Sequence, residues 1–464
     1  MALKPLHERL PRELLSHIFT IFCEEGGARS RVLLLTICRE WQNTCYSTHA
    51  LWCEVTIITH HRENPEPGTG LTLAEMASRA KTWLSRSGTL SCSLRISAGP
   101  NHYTDGAPAF EGLINFVSPR LQRLVMRAPT HEFRVFNKLL PDGLPELNEL
   151  SVTQTHMGDR VVPFVDFSFC RCKKLRVVGL SFDDPPGLPV WKIVPLFNNI
   201  TSLLPLQQLR TLAFHDAQTG VAESAKAISL CTSLETCKFS LGSWSGRTTP
   251  PDIPPTTLPN LRVLKLGLFE YQAVLFLQPF RMPALTELDL TSQGSVFSRI
   301  RGSFSSALLE LHKRHPFPLR KLSLKDVALE TGIFLNFLSR LEHLEEFATT
   351  SCDCLAMFLT KILTMELDTT PPFLPQLAHL EIQEKWDLWA PTDNNILLMI
   401  KSRWSQGKVP SVARLKRVTI ADQHVLHKEF IREFELMSKE GLQFHVRGFG
   451  NNTYLPFNPR NRLS

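Results

Sequence analysis

Apolar residues near the start of the chain recur at helical spacing. They predict an amphipathic helix that opens at Leu10-Pro11, where proline suits the first turn, and a second helix after the polar stretch 24–30. A core of this size cannot bury all their large side chains, so we expect an exposed apolar patch that contacts a protein partner. The alternative is an ordinary helical cap on the next domain. The apolar positions are Leu14, Leu15, Ile18, Phe19 and Phe22, then Leu33, Leu34, Ile37, Cys38 and Trp41, with Leu51 and Trp52 closing the unit.

A second pattern fills most of the remaining chain. It has the form Leu-x-x-Φ-x-Φ, in which Φ is mostly apolar, and successive copies begin 24 to 38 residues apart. The alternation predicts a short strand in each copy, and longer periodic segments predict helices over 223–230, 304–312, 333–341, 394–404 and 428–439. The copies begin at Leu121, Leu147, Leu175, Leu209, Leu234, Leu261, Leu285, Leu319, Leu344, Leu377 and Leu415.

The recurring units resemble degenerate leucine-rich repeats, in which stacked strands and helices share one core. The predicted fold class is α/β: a small helical domain followed by a curved solenoid with parallel strands on its concave face. Side chains on that face have mixed charges, which favours a protein or peptide partner over a uniform polyanion, whereas the alternative is a merely solvated face. The candidate partner-binding residues are Arg123, Arg127, Lys265, Glu287, Asp289, Lys321, Lys325 and Glu381; Val125, Glu149, Ser151, Thr153, Thr211, His215, Lys238 and Gln383 share the face.

The segments around the repeats predict connecting elements. Residues 55–58 read as a strand and residues 60–70 as a linker rich in proline, glycine and charge. A helix over 72–87 should begin with a capping box, Thr72 to Glu75, and end at Gly88. Proline-rich stretches at 183–189, 248–259 and 369–375 predict surface loops. The predicted domains are 1–57, a connection at 58–90, repeats over 91–445 and a solvated tail at 446–464.

Composition excludes several classes of function. The 464 residues are 43% hydrophobic and 20% charged, which is typical of a globular protein with more than one domain. The net charge of +7 is not concentrated in a block, so no nucleic-acid partner is expected. We find neither a signal peptide nor an apolar run near the length of about 20 residues that spans a bilayer. These features, with 11 scattered cysteines, predict a cytoplasmic or nuclear protein without membrane contact.

No catalytic or metal-binding constellation stands out. The Cys-x-Cys pairs lack the spacing of structural zinc sites, so we expect buried or loop cysteines. Adjacent histidines at 60–61 belong to the linker, and a further histidine pair is interpreted as a solvated helix end. We therefore expect no enzyme, cofactor or metal, although an unrecognised active site among the repeats is an alternative. The residues concerned are Cys170, Cys172, Cys352, Cys354, His312 and His315.

Three short motifs near the N-terminus resemble the F-box, particularly that of a large fungal group. They are L-P-x-E-L-L-x-x-I-F from Leu10, apolar-C-R-x-W from Ile37 and S-T-x-x-L-W from Ser47, and the run from Trp83 to Ile96 resembles the segment that follows in that group. The chain departs from the pattern in its polar stretch 24–30 and at His49, where proline is commoner. The resemblance assigns adaptor binding, direct or supporting, to Leu10, Pro11, Leu14, Leu15, Ile18, Leu34, Ile37, Cys38, Trp41, Leu51 and Trp52.

The resemblance implies a function for the whole chain. An F-box binds a small Skp-type adaptor, and the adaptor joins it to a cullin ubiquitin ligase. The chain would then be the substrate-recognition subunit, holding an unknown target protein near the charged ubiquitin and raising its effective concentration. The alternative that stays within this family is an adaptor-bound scaffold that delivers no target for degradation.

Overall fold

The computed structural model of the chain describes residues 10–59, 72–98, 107–129, 144–155, 169–183, 204–215, 221–240, 253–268, 270–292, 303–350, 352, 363, 373–383, 393–405, 412–421, 428–447 and 454–456. The chain folds into two compact units, residues 1–209 and 210–464, and strands alternate with helices in both. The predicted α/β class is confirmed, whereas the predicted domain boundaries and curvature stay predictions. The predicted linker 60–70, Cys354, most of the tail, most of loops 183–189 and 369–375, and the first part of loop 248–259 lie outside the described residues.

Two helices open the first unit. Helix α1 spans Arg12–Ile37, helix α2 spans Arg39–Ser47, and a 3₁₀ helix, His49–Trp52, follows. Helix α1 begins one residue after Pro11, whereas the sequence predicts Pro11 in its first turn. The Pro11 carbonyl oxygen accepts a hydrogen bond from the backbone N–H of Leu15 at 3.1 Å. Proline is tolerated at this end because it has no N–H that would need a partner.

The predicted second helix was wrong in its boundaries. The polar stretch 24–30 is helical except at Gly27, whose φ of 64° and ψ of −148° are accessible mainly to glycine. Cys38, expected inside the second helix, is extended and separates α1 from α2. Its Sγ accepts a hydrogen bond from the backbone N–H of Trp41 at 3.5 Å, which caps α2. Apolar spacing continues across this break, so periodicity alone joins Ile37 and Trp41 into one helix.

Helix α3, Leu73–Ser85, begins with the capping box that the sequence predicts. The Thr72 hydroxyl accepts a hydrogen bond from Glu75 N at 3.2 Å, and the Thr72 N–H donates to Glu75 Oε2 at 2.8 Å. The chain turns after the helix at Gly88, whose φ of 60° favours glycine.

Five parallel strands pair in chain order in the first unit. Strand β1 confirms the strand predicted at 55–58, and β2 was not predicted. Helix α4, Ala107–Val117, was not predicted either. The strands are β1 Glu54–Thr59, β2 Cys92–Ala98, β3 Leu121–Pro129, β4 Glu149–Thr155 and β5 Val177–Asp183.

The second unit repeats the alternation of strand and helix. Strands β6, β7, β9 and β11 to β16 pair in parallel in that order, β17 joins β16 antiparallel, and β8 pairs only with β10. The strands are β6 Thr211–His215, β7 Thr236–Ser240, β8 Thr256–Thr257, β9 Val263–Leu268, β10 Phe280–Arg281, β11 Glu287–Ser292, β12 Lys321–Lys325, β13 Glu346–Thr350, β14 His379–Gln383, β15 Arg417–Ala421, β16 Gln443–Arg447 and β17 Tyr454–Pro456. The helices are α5 Val221–Ser229, α6 Glu270–Leu277, α7 Ser303–Arg314, α8 Thr331–Leu338, α9 Asp393–Ser405 and α10 Lys428–Lys439.

All eleven strands predicted from the repeated pattern form, and equivalent apolar positions lie side by side. In the first unit Leu124 is opposite Leu150, which is opposite Val178. In the second unit the register aligns Leu212, Cys237, Leu264, Leu288, Leu322, Phe347, Leu380 and Val418. These side chains are buried, whereas the alternating positions are exposed or partly exposed, except for the buried Thr419 on β15. We call the side that carries the alternating positions the open face of each sheet.

A recurring turn that the sequence pattern did not predict precedes most of these strands. The leading leucine of a copy donates its backbone N–H to the carbonyl oxygen of the residue three positions earlier, and that residue is buried. Two of these positions are Cys172 and Cys231, which explains why these cysteines are buried in the core. The accepting residues are Leu144, Cys172, Leu206, Cys231, Leu258, Met282, Leu341 and Leu374.

His312 contradicts the expected solvated helix end. It is 7% exposed and its ring contacts Phe317 and Phe337 edge-on, with centroids 4.7 and 5.9 Å apart. Its position continues the buried stripe of Phe304 and Leu308 on α7, so the side chain faces the core. Burial, together with the charge of Arg340, holds the pKa of His312 below its ordinary value of 6.5.

Acidification should therefore destabilise the second unit. Because the folded-state pKa of His312 is lowered, the unfolded chain takes up a proton first as the pH falls below about 6.5, and stability is lost from there down to the folded-state pKa. We expect His312→Leu to reduce the fall in the free energy of unfolding between about pH 7.5 and 5. Urea unfolding at a series of pH values measures this, with the exposed His343→Leu as control. Parallel profiles for wild type and His312→Leu would contradict it.

Candidate functional site

A compact apolar core holds the N-terminal helices together. The Trp52 side chain is 1% exposed, and its Nε1 donates a hydrogen bond to the Cys45 carbonyl oxygen at 2.8 Å. The Trp52 ring meets that of Trp83 on α3 edge-on at 4.7 Å, and Phe19 meets Trp41 at 4.8 Å. The buried cluster consists of Leu15, Phe19, Cys23, Leu34, Cys45, Leu51 and Trp52.

The same helices expose a second set of apolar side chains. On α1, Leu14, Ile18, Ile21 and Phe22 follow the i, i+4, i+7, i+8 spacing of one helix face, and they lie beside the buried positions rather than among them. Exposed apolar surface of this extent is typical of a protein-binding region. We call this set the apolar patch; its members are Leu14, Ile18, Ile21, Phe22, Val32, Leu33, Ile37 and Tyr46, which are 40% to 54% exposed.

The residues that the F-box resemblance assigns to adaptor binding divide by exposure. Leu15, Leu34, Leu51 and Trp52 are buried, so their role in any such contact is to support the helices. Three others, Leu10, Cys38 and Trp41, are half-buried. The exposed ones, which a partner could contact directly, are Pro11, Leu14, Ile18 and Ile37.

The segment after α3 packs directly against these helices. The Arg86 guanidinium lies 4.6 Å from the ring centroid of Trp52 and 4.7 Å from that of Tyr46. His49 Nδ1 lies 2.6 Å from the Arg86 carbonyl oxygen, so the histidine that departs from the F-box pattern makes a contact of its own. Arg120 in turn donates to the carbonyl oxygens of Leu84 and Gly88, at 2.8 and 2.5 Å. The helical region is thereby fixed to the first strands of its unit.

Charges on the open face of the second unit pair across neighbouring strands. Glu287 on β11 forms an ion pair with Lys265 on β9 and not with Lys321 on β12. Lys321 forms an ion pair with Glu346 on β13 instead. The ion pairs are Lys265–Glu287 at 2.9 Å, Lys321–Glu346 at 3.3 Å and His379–Glu346 at 3.0 Å. Surface pairs of this kind contribute about 0–1 kcal/mol each, so they mainly order the side chains on the face.

Glu346 on this face contacts two neighbours, Lys321 and His379. Burial alone would raise its pKa, but the hydrogen bond from His379 and the charge of Lys321 outweigh burial and lower the pKa below the ordinary value of 4.5. The carboxylate is therefore ionised at neutral pH and holds both neighbours. The Leu-x-x-Φ-x-Φ pattern does not predict the contacts of Glu346 with Lys321 and His379. It predicts on which face of the sheet a residue lies, but not which residue of the neighbouring strand it contacts.

The register decides which of the candidate residues on β11 and β12 are neighbours. Lys321 lies opposite Glu287, whereas Lys325 lies opposite Thr291 and Asp289 lies opposite Ser323. Among the described residues, no hydrogen bond or ion pair reaches the side chains of Asp289 and Lys325. Glu381, on β14, accepts a hydrogen bond from the side chain of Gln383. The six candidate residues of the second unit therefore share its open face; they are Lys265, Glu287, Asp289, Lys321, Lys325 and Glu381.

Arg123 and Arg127 lie on the open face of the first unit. Arg123 pairs with Glu149 at 3.0 Å, and Arg127 is exposed. Strand β2 adds Arg95 to the same face, opposite Val125. The repeated pattern does not predict Arg95 on this face, because β2 lacks the leading leucine; the alternation of Cys92, Leu94 and Ile96 is the signal that indicates the strand.

A cavity of about 280 Å³ lies between α1 and the first residues of β1, β2 and β3. Arg31 Nη1 donates to the Glu54 carbonyl oxygen at 2.9 Å, while its Nε is buried without a hydrogen-bond partner among the described residues. The lining holds two arginines and two glutamates, so its charge favours neither sign. Those charged residues are Glu24, Arg31, Glu54 and Arg123.

Seven of the ten cysteines in the described part of the chain are buried and belong to the apolar core. Burial raises the pKa of Cys45 and Cys92 to about 11 and that of Cys231 to about 12, so these thiols are protonated at neutral pH. Cys172 is buried and Cys170 exposed. Within the described ranges, no three His, Cys, Asp or Glu side chains are arranged to hold a metal ion, and no helix there is both long and apolar enough to cross a membrane.

Comparison with known proteins does not assign the chain to a family. No protein-family model matches it, and no curated protein does.

Proposed function

We propose that the chain is the substrate-recognition subunit of a cullin ubiquitin ligase, with the N-terminal helices binding a Skp-type adaptor and the repeats binding a target protein. The observation that carries the proposal is the apolar patch, beside a core that is already complete. Seven buried residues close that core, so the exposed leucines and isoleucines are not needed inside it. Their exposure has a physical reason if a partner covers them.

The sequence around the patch supports a Skp-type adaptor as the partner. Three members of the patch, Leu14, Ile18 and Ile37, lie in the motifs that resemble the F-box, and the other members lie between those motifs. With Pro11, these three are the exposed residues among those that the resemblance assigns to the adaptor. The repeats supply the other half of the proposal, since parallel strands present a broad face of fixed side chains. A target held on that face would lie near the ubiquitin carried by the cullin, so the chain would act through proximity.

The direct test is reconstitution. The purified chain and a purified Skp-type adaptor should form a stable complex on size-exclusion chromatography, and the complex should recruit cullin. Failure of the adaptor to bind at micromolar concentrations would contradict the proposal. If the complex forms but deletion of the gene stabilises no protein in cells, the scaffold alternative would be favoured.

The open face of the second unit offers a test of partner binding. Reversing Glu287 and Asp289 to Lys places two positive charges between Lys265 and Lys321. We expect the free energy of unfolding to change by about 1 kcal/mol or less, while a protein that co-purifies with wild type is lost. Quantitative mass spectrometry of affinity-purified complexes measures this, and reversing the exposed Glu310 and Glu342 provides a control with the same charge change. An unchanged set of co-purifying proteins would indicate a solvated face.

A further inference from the structure

The open face of the first unit contains a trough that crosses its strands. The register places Val125 on β3, Ser151 on β4 and Gly179 on β5 side by side. Along this row the side chain becomes smaller from β3 to β5, and Gly179 has none. A row lies on either side of them. The row nearer the strand starts holds Arg123, Glu149 and Val177, and the row nearer the strand ends holds Arg127, Thr153 and Ser181. The middle row is therefore the floor of the trough.

The size of the trough matches a short extended peptide. From β2 to β5 it crosses three strand spacings of about 4.8 Å, which is roughly 14 Å. An extended chain rises about 3.3 Å per residue, so about four or five residues fill it. A Cβ added at Gly179 would lie 3.6 Å from Ser151 Oγ, an ordinary contact, so the floor is open without being strained.

Charge on this face favours an acidic occupant. Arg95 lies at the β2 end of the floor, opposite Val125; it is exposed, and no ion pair or hydrogen bond reaches its side chain within the described part of the chain. The carboxylate of the neighbouring row, Glu149, is already paired with Arg123 at 3.0 Å. Arg127 adds a third guanidinium, which is exposed. Guanidinium groups bind carboxylates with charge-assisted hydrogen bonds.

The remaining side chains indicate a peptide rather than a uniform polyanion. Val125 lies between Arg123 and Arg127 along β3 and opposite Arg95, so an apolar contact is surrounded by cations. Thr153 and Ser181 lie in the row nearer the strand ends, and their hydroxyl oxygens, 2.7 Å apart, place hydrogen-bonding groups along that side of the trough. An aliphatic side chain flanked by carboxylates complements this arrangement, whereas a nucleic acid needs a denser set of cations.

We propose that the trough binds an extended acidic segment of a protein partner, in which Asp or Glu side chains flank an aliphatic residue. The inference rests on the proposed role of the open faces in partner recognition and specifies the chemistry of the partner. Arg95 contacts a carboxylate, Val125 contacts the aliphatic side chain, and the peptide backbone passes over Gly179.

Fluorescence anisotropy with the full-length chain tests the proposal. The probe is a labelled peptide of about eight residues in which Glu and Asp flank Val and Leu, and the comparison peptide replaces each Glu and Asp by Gln and Asn. We expect salt-sensitive binding of the acidic peptide only. Arg95→Glu should weaken it about tenfold by placing like charges together, and Gly179→Val should weaken it at least about fivefold by filling the floor. Lys226→Glu, an equal charge change at an exposed position of helix α5 in the second unit, should leave affinity within about twofold.

Three results would overturn the proposal. They are equal binding of the amide peptide, no binding of the acidic peptide at about millimolar concentration, and unchanged affinity in both Arg95→Glu and Gly179→Val. Competition by a single-stranded oligonucleotide at a lower concentration than by unlabelled acidic peptide would also overturn it, in favour of a polyanion site. Adaptor binding is measured on the same preparations, so a chain that binds the peptide but not the adaptor would refute the ligase role and leave the trough in place.

Discussion

Replacing Ile18 and Ile37 together by Asp is expected to lower the affinity for a Skp-type adaptor on the order of 100-fold or more. The two side chains are 47% and 50% exposed and belong to the apolar patch. A partner that covers the patch would have to bury two unpaired carboxylates, which costs far more than the loss of the apolar contacts. Isothermal titration calorimetry with purified adaptor measures the change.

This double replacement is informative because neither residue belongs to the buried cluster of the helices. The melting temperature of the Ile18/Ile37 variant should therefore stay close to that of wild type. Ile58→Asp is the matched control: Ile58 is 54% exposed but lies on β1, outside the helices, and the same replacement there should leave adaptor affinity unchanged. Wild-type affinity in the Ile18/Ile37 variant would remove the patch from the proposed interface.

Trp41, by contrast, would give an ambiguous result. It is part of the sequence motif, but its ring packs against that of Phe19 at 4.8 Å and it borders the buried cluster. Truncating it would weaken the helices as well as any interface. The sequence resemblance treats Ile18 and Trp41 alike, and only burial separates a residue that supports the surface from one that forms it.

The strands could be predicted because the information needed for them is local. Each copy of the Leu-x-x-Φ-x-Φ pattern specifies one strand and its buried side, and stacking then aligns equivalent residues such as Leu288 and Leu322. Where the pattern is absent, prediction failed. Strand β2 has alternation without the leading leucine, and α6 has a nearly continuous apolar run, E-Y-Q-A-V-L-F-L, in which no helical face is visible.

The lateral contacts of the open face could not be predicted in the same way. Alternation places Glu287 on the open face, but it does not say whether the carboxylate turns to Lys265 on one side or Lys321 on the other. The structure selects Lys265, while Lys321 contacts Glu346. Partner choice depends on side-chain reach across two neighbouring strands, which no single strand encodes. A trough such as that above Gly179 is similarly a property of three adjacent rows.

The N-terminal helices show a third limit. Helical spacing of apolar residues runs through Ile37, Cys38 and Trp41, yet Cys38 is extended. One extended residue thus ends α1 and begins α2 where the apolar period predicts a single helix. In the segment that follows, Trp52 Nε1 donates to the Cys45 carbonyl oxygen and joins α2 to the 3₁₀ helix. Trp52 is accordingly the residue on which the packing of the helices most depends.

Trp52→Ala should destabilise the helical region by about 3–5 kcal/mol, the usual cost of removing a fully buried large aromatic side chain. It deletes the edge-on contact with Trp83, the stacking with Tyr46 and the surface beneath Arg86. It also removes one of the two hydrogen bonds that the Cys45 carbonyl oxygen accepts, since the backbone N–H of Thr48 still donates to this oxygen at 3.2 Å. Trp52→Phe keeps a ring but not the hydrogen bond, so it should cost less, about 1–3 kcal/mol. The two variants thereby separate packing from hydrogen bonding.

Hydrogen–deuterium exchange is the suitable measurement, because it reports each region of the chain separately. Amides of α1, α2 and β1 should exchange faster in Trp52→Ala and to a smaller extent in Trp52→Phe. Amides of β11 to β14 should be unaffected in both variants, which controls for a general loss of folding. Adaptor affinity should fall with the protection of α1, since a loosened helix no longer presents Ile18 in a fixed position. Wild-type protection of α1 in Trp52→Ala would show that the exposed and buried faces of these helices are held by contacts other than those of Trp52.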